Sequence, residues 1–365
     1  MEVGIRRDTA TICPREPVQM AVTADVILDG EKAPKRVETW QGRGSVNKND
    51  TLEFNEFAFR SGLGRFDGEG WFHPSEDLLA SAGKAFDITT VYRRSPSRFT
   101  FTSSYKPDYR CIHRAGRHGA GGAPGRSGER GSGGTSGRDG SGNAMGGTGG
   151  SGAAGGSGMP GGDGVNGPNL AAFATLVRTP FYDRLVGIVV QGDVEDFLLV
   201  PVGQSVTIQA AGGAGGAGGN GGEGGVGGSG GRGSQGAAGG AGGSGGPGGA
   251  GGQGGHGGNG GKVEFLYDAR FPELRDQIKI DVSGGVAGTG GSAGRGGSPG
   301  SGGRGGGAPT GAGAAAVAPS DGPSGAGGSG GSPGAPGRPG RHGKATVLPE
   351  EVRDVFGGRG SVTPL

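Results

Sequence analysis

From Gly212 to Gly260 glycine stands at every third position without a break, and the middle positions are glycine too, apart from Ser234 and Ala237. Nothing else in the chain restricts its fold so strongly. A segment of this kind has almost no apolar side chain to bury, and each glycine loses more freedom on ordering than any other residue. Either it is a disordered linker, or glycine is itself the packing element. The same phase runs from Gly116 to Gly167, with Asn143 as its one break, and from Gly285 to Gly306. It slips across "GAPTGAGAAAVAPSD" and resumes from Gly322 to Gly343. A linker has no reason to keep a three-residue register so long, so order is the expected state.

Three residues make one turn of a polyproline-II helix, which rises about 3.1 Å per residue. Such a helix has no internal hydrogen bonds, so its amides must pair with neighbouring segments or with water. Where two faces in three carry only hydrogen, segments approach closely enough for N–H···O and Cα–H···O contacts. The third residue points outward and varies freely: Ala, Asn, Glu, Val, Ser, Arg, Gln, Pro and His all occur in the central block. Fully extended, that block would reach about 160 Å. It is therefore expected to fold back into shorter rods, with "GSQGAAG" as a turn. A collagen triple helix also needs glycine in every third place, but with abundant proline in the other two. The central block has Pro247 alone, whereas "GPSGAGGSGGSPGAPGRPGRHG" carries Pro323, Pro333, Pro336 and Pro339 and suits collagen better. A polyglycine-II bundle is favoured; a collagen-like trimer and disorder stand as alternatives.

A conventional core can form only where apolar residues cluster. Residues 14–112 read as a β-sandwich domain after a tail at 1–13. "PVQMAVTADVIL" alternates, with Val18, Met20, Val22, Ala24 and Val26 on one face. Phe86, Ile88, Thr90 and Tyr92 repeat the pattern, and Leu52, Phe54, Phe57, Phe59, Phe99 and Phe101 extend it. Turn signals at Asp29-Gly30, Asn49-Asp50 and Asp67-Gly68 separate the runs. Short alternating strands at this spacing predict a sandwich. "PSEDLLASAGK" predicts a short helix capped by Ser75 and ended by Gly83. Rods are then expected at 113–169, 212–262 and 285–343, the last broken near 307–321. Strand inserts lie at 170–211 and 263–284, and a C-terminal strand or tail at 344–365. "VTIQAAGG" and "IKIDVSGG" are the same pattern, a strand running straight into glycine triplets. The exits "GGKVEFLYD" and "HGKATVLPEE" match as well. Inserted strands such as Phe197–Val200 and Val206–Ile208 are expected to form one small sheet pinning the rods. The fold class expected is thus mainly β, a sandwich followed by a polyglycine-II bundle pinned by short strands, with very little α-helix.

The glycine blocks resemble known polyglycine-II proteins, the snow-flea antifreeze protein and glycine-rich phage receptor-binding adhesins. "GGAGGAGGNGGEGGVGG" also resembles the PGRS repeats of mycobacterial surface proteins. The resemblance covers the glycine blocks alone, about half of the chain. It implies a packed bundle and a role in structure or adhesion. Obg-type GTPases similarly begin with a glycine-rich bundle pinned by strands. No G-x-x-x-x-G-K-[ST] occurs here, however: Val263 follows Lys262, and His256 stands where the first glycine belongs.

Cys13 and Cys111 bracket the aromatic-rich region. In an exported chain they are expected to pair, closing a loop of about 98 residues worth roughly 4–5 kcal/mol. Two unpaired thiols are the alternative. Cys111, His113 and His118 have metal-ligand spacing but no fourth ligand nearby. Asp67 and Glu69 beside Trp71 read as a solvated turn in preference to a catalytic acid pair. G-x-G-x-x-G strings recur everywhere and carry no information, and no nucleophile–base pairing stands out. No enzyme activity, cofactor or metal is expected.

Net charge is +2, from 35 basic and 33 acidic residues, which gives no strong pull toward nucleic acid or membrane. Arg110, Arg114, Arg117, Arg126, Arg130 and Arg138 form an exposed basic stretch. With Arg295-Gly-Gly and Arg304-Gly-Gly it is similar to RNA-binding RGG segments, but the aromatics those use for stacking are absent from the glycine blocks. No apolar run approaches a membrane span, and no secretory leader is visible. The function expected is a non-enzymatic structural or adhesive protein, extracellular or at the cell surface, that binds an unknown ligand or itself. The alternative is an intracellular scaffold or RNA-associated protein. Ice binding ranks third, because Glu223, Arg232, Gln253 and Lys262 break up the flat, weakly polar face it requires.

Overall fold

The computed structural model describes residues 2–5, 10–27, 32–39, 51–52, 54–68, 70–309 and 317–365. The fold is mainly β-sheet. Among the described residues α-helix is confined to Leu78–Ala82 and Leu274–Gln277.

The N-terminal region forms two sheets. One has the order Thr51–Leu52, Lys35–Thr39, Val18–Val26, Trp71–Pro74, Gly64–Phe66, with Glu2–Ile5 also paired to Val18–Val26. The other has the order Thr11–Ile12, Thr100–Pro107, Phe86–Tyr92, Phe57–Arg60. Glu2–Ile5 and Thr11–Ile12, a tail in the sequence reading, are therefore strands. The alternation places Met20, Val22, Phe72, Phe86 and Ile88 in one buried cluster shared by the two sheets. The turns anticipated at Asp29-Gly30 and Asn49-Asp50 lie outside the described residues. The helix cap differs from expectation: Asp77, not Ser75, accepts from the Leu79 and Ala80 amides. The helix begins at Leu78, so Asp77 holds the cap position, while Ser75 Oγ accepts from the Asp77 amide one turn earlier. Gly83 ends the helix.

Two further sheets enclose a larger core. Arg114–Gly116, Val206–Gln209 and Ile278–Asp281 lie side by side in parallel. Opposite them runs a six-stranded sheet, Asp196–Pro201, Tyr182–Gly192, Leu170–Thr179, Lys262–Asp268, Lys344–Glu350, with Thr363–Pro364 on Leu170–Thr179. "LAAFATLV" and "LVGIVV" are apolar almost throughout because these central strands are covered on both faces. Their side chains pack with Val206, Ile208, Phe265 and Phe356. The single small sheet expected to hold both Phe197–Val200 and Val206–Ile208 is not formed; these strands belong to the two different sheets.

The reason lies in the glycine segments, which continue both sheets. Six run back and forth: 118–140, 144–168, 210–234, 237–261, 282–306 and 319–343. The chain reverses at Gly142 and at Gly236, both at positive φ, within bonds from Ala144 N to Ser141 O and from Ala237 N to Ser234 O. Each segment bonds antiparallel to the one before it. Gly147 N donates to Arg138 O, and every third residue repeats this as far as Val165 N and Ala120 O. The first four also bond in parallel to the segment two along, the first of them from Gly119 N to Ala211 O through Gly140 N to Arg232 O, at 2.7–2.8 Å. The odd segments leave the three-stranded sheet as one row. The even segments enter Leu170–Thr179, Lys262–Asp268 and Lys344–Glu350 as a second row. The proline-rich stretch 322–343 bonds within this same chain, along 282–303 and 242–260, so it is not collagen-like.

This arrangement explains the grammar of the blocks. The third and fourth segments have four neighbours each and need two glycine lines. A Cβ at Gly215 would lie 2.1 Å from Gly255 O, and one at Gly216 would lie 2.1 Å from Ala123 O. The first segment has two neighbours and needs one line. A Cβ at Gly122 would meet Gly162 O at 1.9 Å, whereas at Gly121 the nearest atom is 3.6 Å away. Hence Gly-Gly-X stands in the middle and Gly-X-Y at the ends.

Candidate functional surfaces

Hydrogen bonding consumes the glycine lines, so contact with other molecules falls to the third residues. Across the odd row these stand side by side. Ser136 and Ser229 are bonded at 3.2 Å, Arg130 Nε lies 3.7 Å from Glu223 Oε2, and Ser292 N donates to Asn220 Oδ1 at 2.9 Å. Across the even row, His256 N donates to Asp163 Oδ1 at 2.6 Å and Arg338 N to His256 Nδ1 at 2.9 Å. Asn and Asp at third positions recur for a physical reason. Their side chains accept the outward N–H of the adjoining segment, which no backbone carbonyl reaches, as at Asp139–Arg232, Asn166–Asn259 and Asn259–Arg341.

The two faces differ in charge. The odd face carries Arg130, Asp139, Glu223, Arg232, Arg295 and Arg304, all exposed. On the even face the lines Met145 to Pro160, Ala238 to Gln253 and Ser320 to Ala335 hold no charged residue. Charges return toward the sheets, at Asp163, Arg338, Arg341 and Lys262. Glu223 and Arg232, which the sequence reading sets against a flat uncharged face, are thus on the other side. Lys262 lies at the even row's end, and Gln253 is neutral.

The six arginines of the basic stretch are not brought together. Arg110 forks onto Asp108, with Nη2 2.7 Å from Oδ2. Arg114 lies in the parallel sheet. Arg117, Arg126 and Arg138 share one line of the first segment with Glu129, while Arg130 faces Glu223. Cys111 is bonded to Cys13, with Cα atoms 6.1 Å apart, and so offers no thiolate to a metal with His113 and His118. Asp67 accepts from Trp71 N at 2.9 Å and pairs with His73 Nε2 at 2.9 Å. Glu69, its suggested partner, lies outside the described residues. Among the described residues no helix is long and apolar enough to cross a membrane.

The N-terminal sheets are fastened to the bundle's sheet end. Tyr182 donates its hydroxyl to Pro107 O at 2.7 Å, Gln204 Nε2 donates to Ile112 O at 2.6 Å, and Arg15 pairs with Asp196 at 2.5 Å. Asp108, at this junction, is held below the usual carboxylate range by the Arg110 side chain, against the opposing effect of burial. At the rim of the large core Asp268 is buried. That alone would raise its pKa, but hydrogen bonds from Arg270 and Thr175 outweigh it and hold the carboxyl low. Its contribution to stability is present above the ordinary carboxylate pKa and lost as pH falls below about 4. Asp268→Asn is expected to cost about 2 kcal/mol at neutral pH and to flatten the acid limb of a pH–denaturation series. An unchanged acid limb would assign that limb to other carboxylates.

No family model, no curated protein and no solved structure matches the chain. The functional reading rests on these surfaces.

Proposed function

We propose that the chain is a non-enzymatic structural or adhesive protein of the cell surface. The glycine segments form a polyglycine-II bundle that serves as a rigid two-faced platform, and the N-terminal β-sandwich is its mount or recognition head. One observation carries this reading. Backbone bonds fix the described glycine segments at three-residue intervals, and their third side chains stand in parallel lines on two broad faces. A backbone held in this way presents its side chains at little further entropy cost on binding. The assignment to polyglycine II is supported by the period of three, by bonds running only between segments, and by the absence of helix or strand over them. The test is protease treatment of intact producing cells. Digestion from outside is the expected result. Protection, with cellular RNA retained by the purified protein and released steeply by salt, would move the chain to the intracellular alternative.

The uncharged even face favours ice binding as a second reading. Three lines of uncharged side chains, most of them small, extend for roughly 50 Å on a fixed backbone. Under that reading the purified protein shapes ice crystals, and Ser244→Arg with Ala250→Arg, both in the middle segment of the row, abolishes the effect.

A further inference from the structure

The lattice of six segments has two outer edges, and a seventh segment is geometrically the natural next addition to either. We infer that both edges are closed by their side chains, and that this closure prevents a second copy of this chain from docking edge to edge. The inference holds whether or not the platform is adhesive.

The sixth segment bonds inward through its Gly322 line to the fifth, and its third residues sit beside the fourth. Its remaining line faces outward. At Gly327 a Cβ would find nothing nearer than 4.0 Å, and at Gly330 nothing nearer than 3.8 Å. On that same line Pro333, Pro336 and Pro339 fill three successive turns, all exposed. A proline has no N–H to donate, and its ring keeps a neighbouring backbone away. The edge continues into Lys344–Glu350, which among the described residues pairs on one side only, with Lys262–Asp268, and carries Lys344, Pro349 and Glu350. Charges and prolines are the usual protection of an open strand edge. At the opposite side the first segment's outer line carries Arg117, Arg126, Glu129 and Arg138. A row of exposed charges there would be desolvated by any segment laid against it.

Proline is otherwise tolerated wherever no donor is needed, as at Pro160 and Pro247 on the even face, where each stands alone. Only on the sixth segment's outer line do three follow at consecutive turns. Composition does not require this, since the inner glycine lines are untouched.

The test uses the full-length protein with Pro333→Gly, Pro336→Gly and Pro339→Gly combined, and sedimentation velocity over a wide concentration range. Wild type is expected as one species. The triple variant, whose first-segment edge keeps its charges, is expected to form dimers through its opened sixth-segment edges at concentrations at least about tenfold lower than any at which wild type associates. Pro160→Gly with Pro247→Gly is the control and is expected to behave as wild type. Amide hydrogen exchange establishes that each variant keeps the glycine network. A triple variant with protected amides that stays a single species overturns the inference. So does wild type associating as readily as the variant, or the control associating equally.

Discussion

Gly225→Ala is expected to destabilise the glycine body by about 3 kcal/mol or more. The added Cβ would lie 1.9 Å from Ser132 O and 2.9 Å from Ala153 N. Both are backbone atoms of segments that are themselves bonded on other sides, so no flexible side chain can move away. Relief requires the first or second segment to shift, which lengthens a whole ladder of bonds near 2.8 Å, such as Gly131 N to Glu223 O and Gly134 N to Val226 O. Gly133→Ala is the matched control. It lies on an exposed line with its nearest atom 3.6 Å away, and is expected to change stability by less than about 0.5 kcal/mol. Equilibrium denaturation of both, with amide exchange along 118–168 and 210–234, checks the pair. Equal costs would mean that glycine is used here for chain flexibility and not for close packing.

The period of three was legible because every segment obeys it. The folding back of the central block was legible at "GSQGAAG", where Ser234 replaces a middle glycine and Gly236 takes a positive φ; that of the first block, expected as one rod over 113–169, was not, although Asn143 breaks the phase beside the turn at Gly142. The number of neighbours around each segment was not anticipated, although it was written in the text. Two glycine lines mark an interior segment and one marks an outer segment, a distinction that needs the lattice before it can be read. The sorting of charge could not be read locally. Whether Glu223 shares a face with Arg130 or with Gln253 depends on which segments form a row, and the partners lie 93 residues apart in the first of these pairs. The N-terminal sheets were visible through their alternation at Val18–Val26 and Phe86–Tyr92. The strand at Glu2–Ile5 was missed because four residues with a glycine and a glutamate give no alternation to count. His73 was missed for a similar reason, as its pairing with Asp67 needs the turn between them to be closed.

Replacing Cys13 and Cys111 together by serine is expected to lower the stability of the N-terminal sheets by roughly 4–5 kcal/mol, the entropy of the long loop that the bond closes. The bond joins the ends of strands already paired in parallel, Thr11–Ile12 on Lys106–Pro107, at the point where the chain leaves for the first glycine segment. The effect is expected to be local. The glycine ladders close without residues before 118, so the amides of segments one to six should keep their protection while those of 57–107 exchange faster. Denaturation would then show two transitions, the earlier one belonging to the N-terminal sheets. The opposing force is the shared core. Leu78, Ala82, Tyr109 and Ile112 are counted among the buried residues of the bundle's sheet end, and Tyr182 and Gln204 hold the junction by hydrogen bonds. If these contacts dominate, both bodies unfold in one step, and the loss appears as a lower midpoint for every amide. A single transition at the wild-type midpoint would mean that the paired strands already restrict the unfolded loop and that the bond adds little.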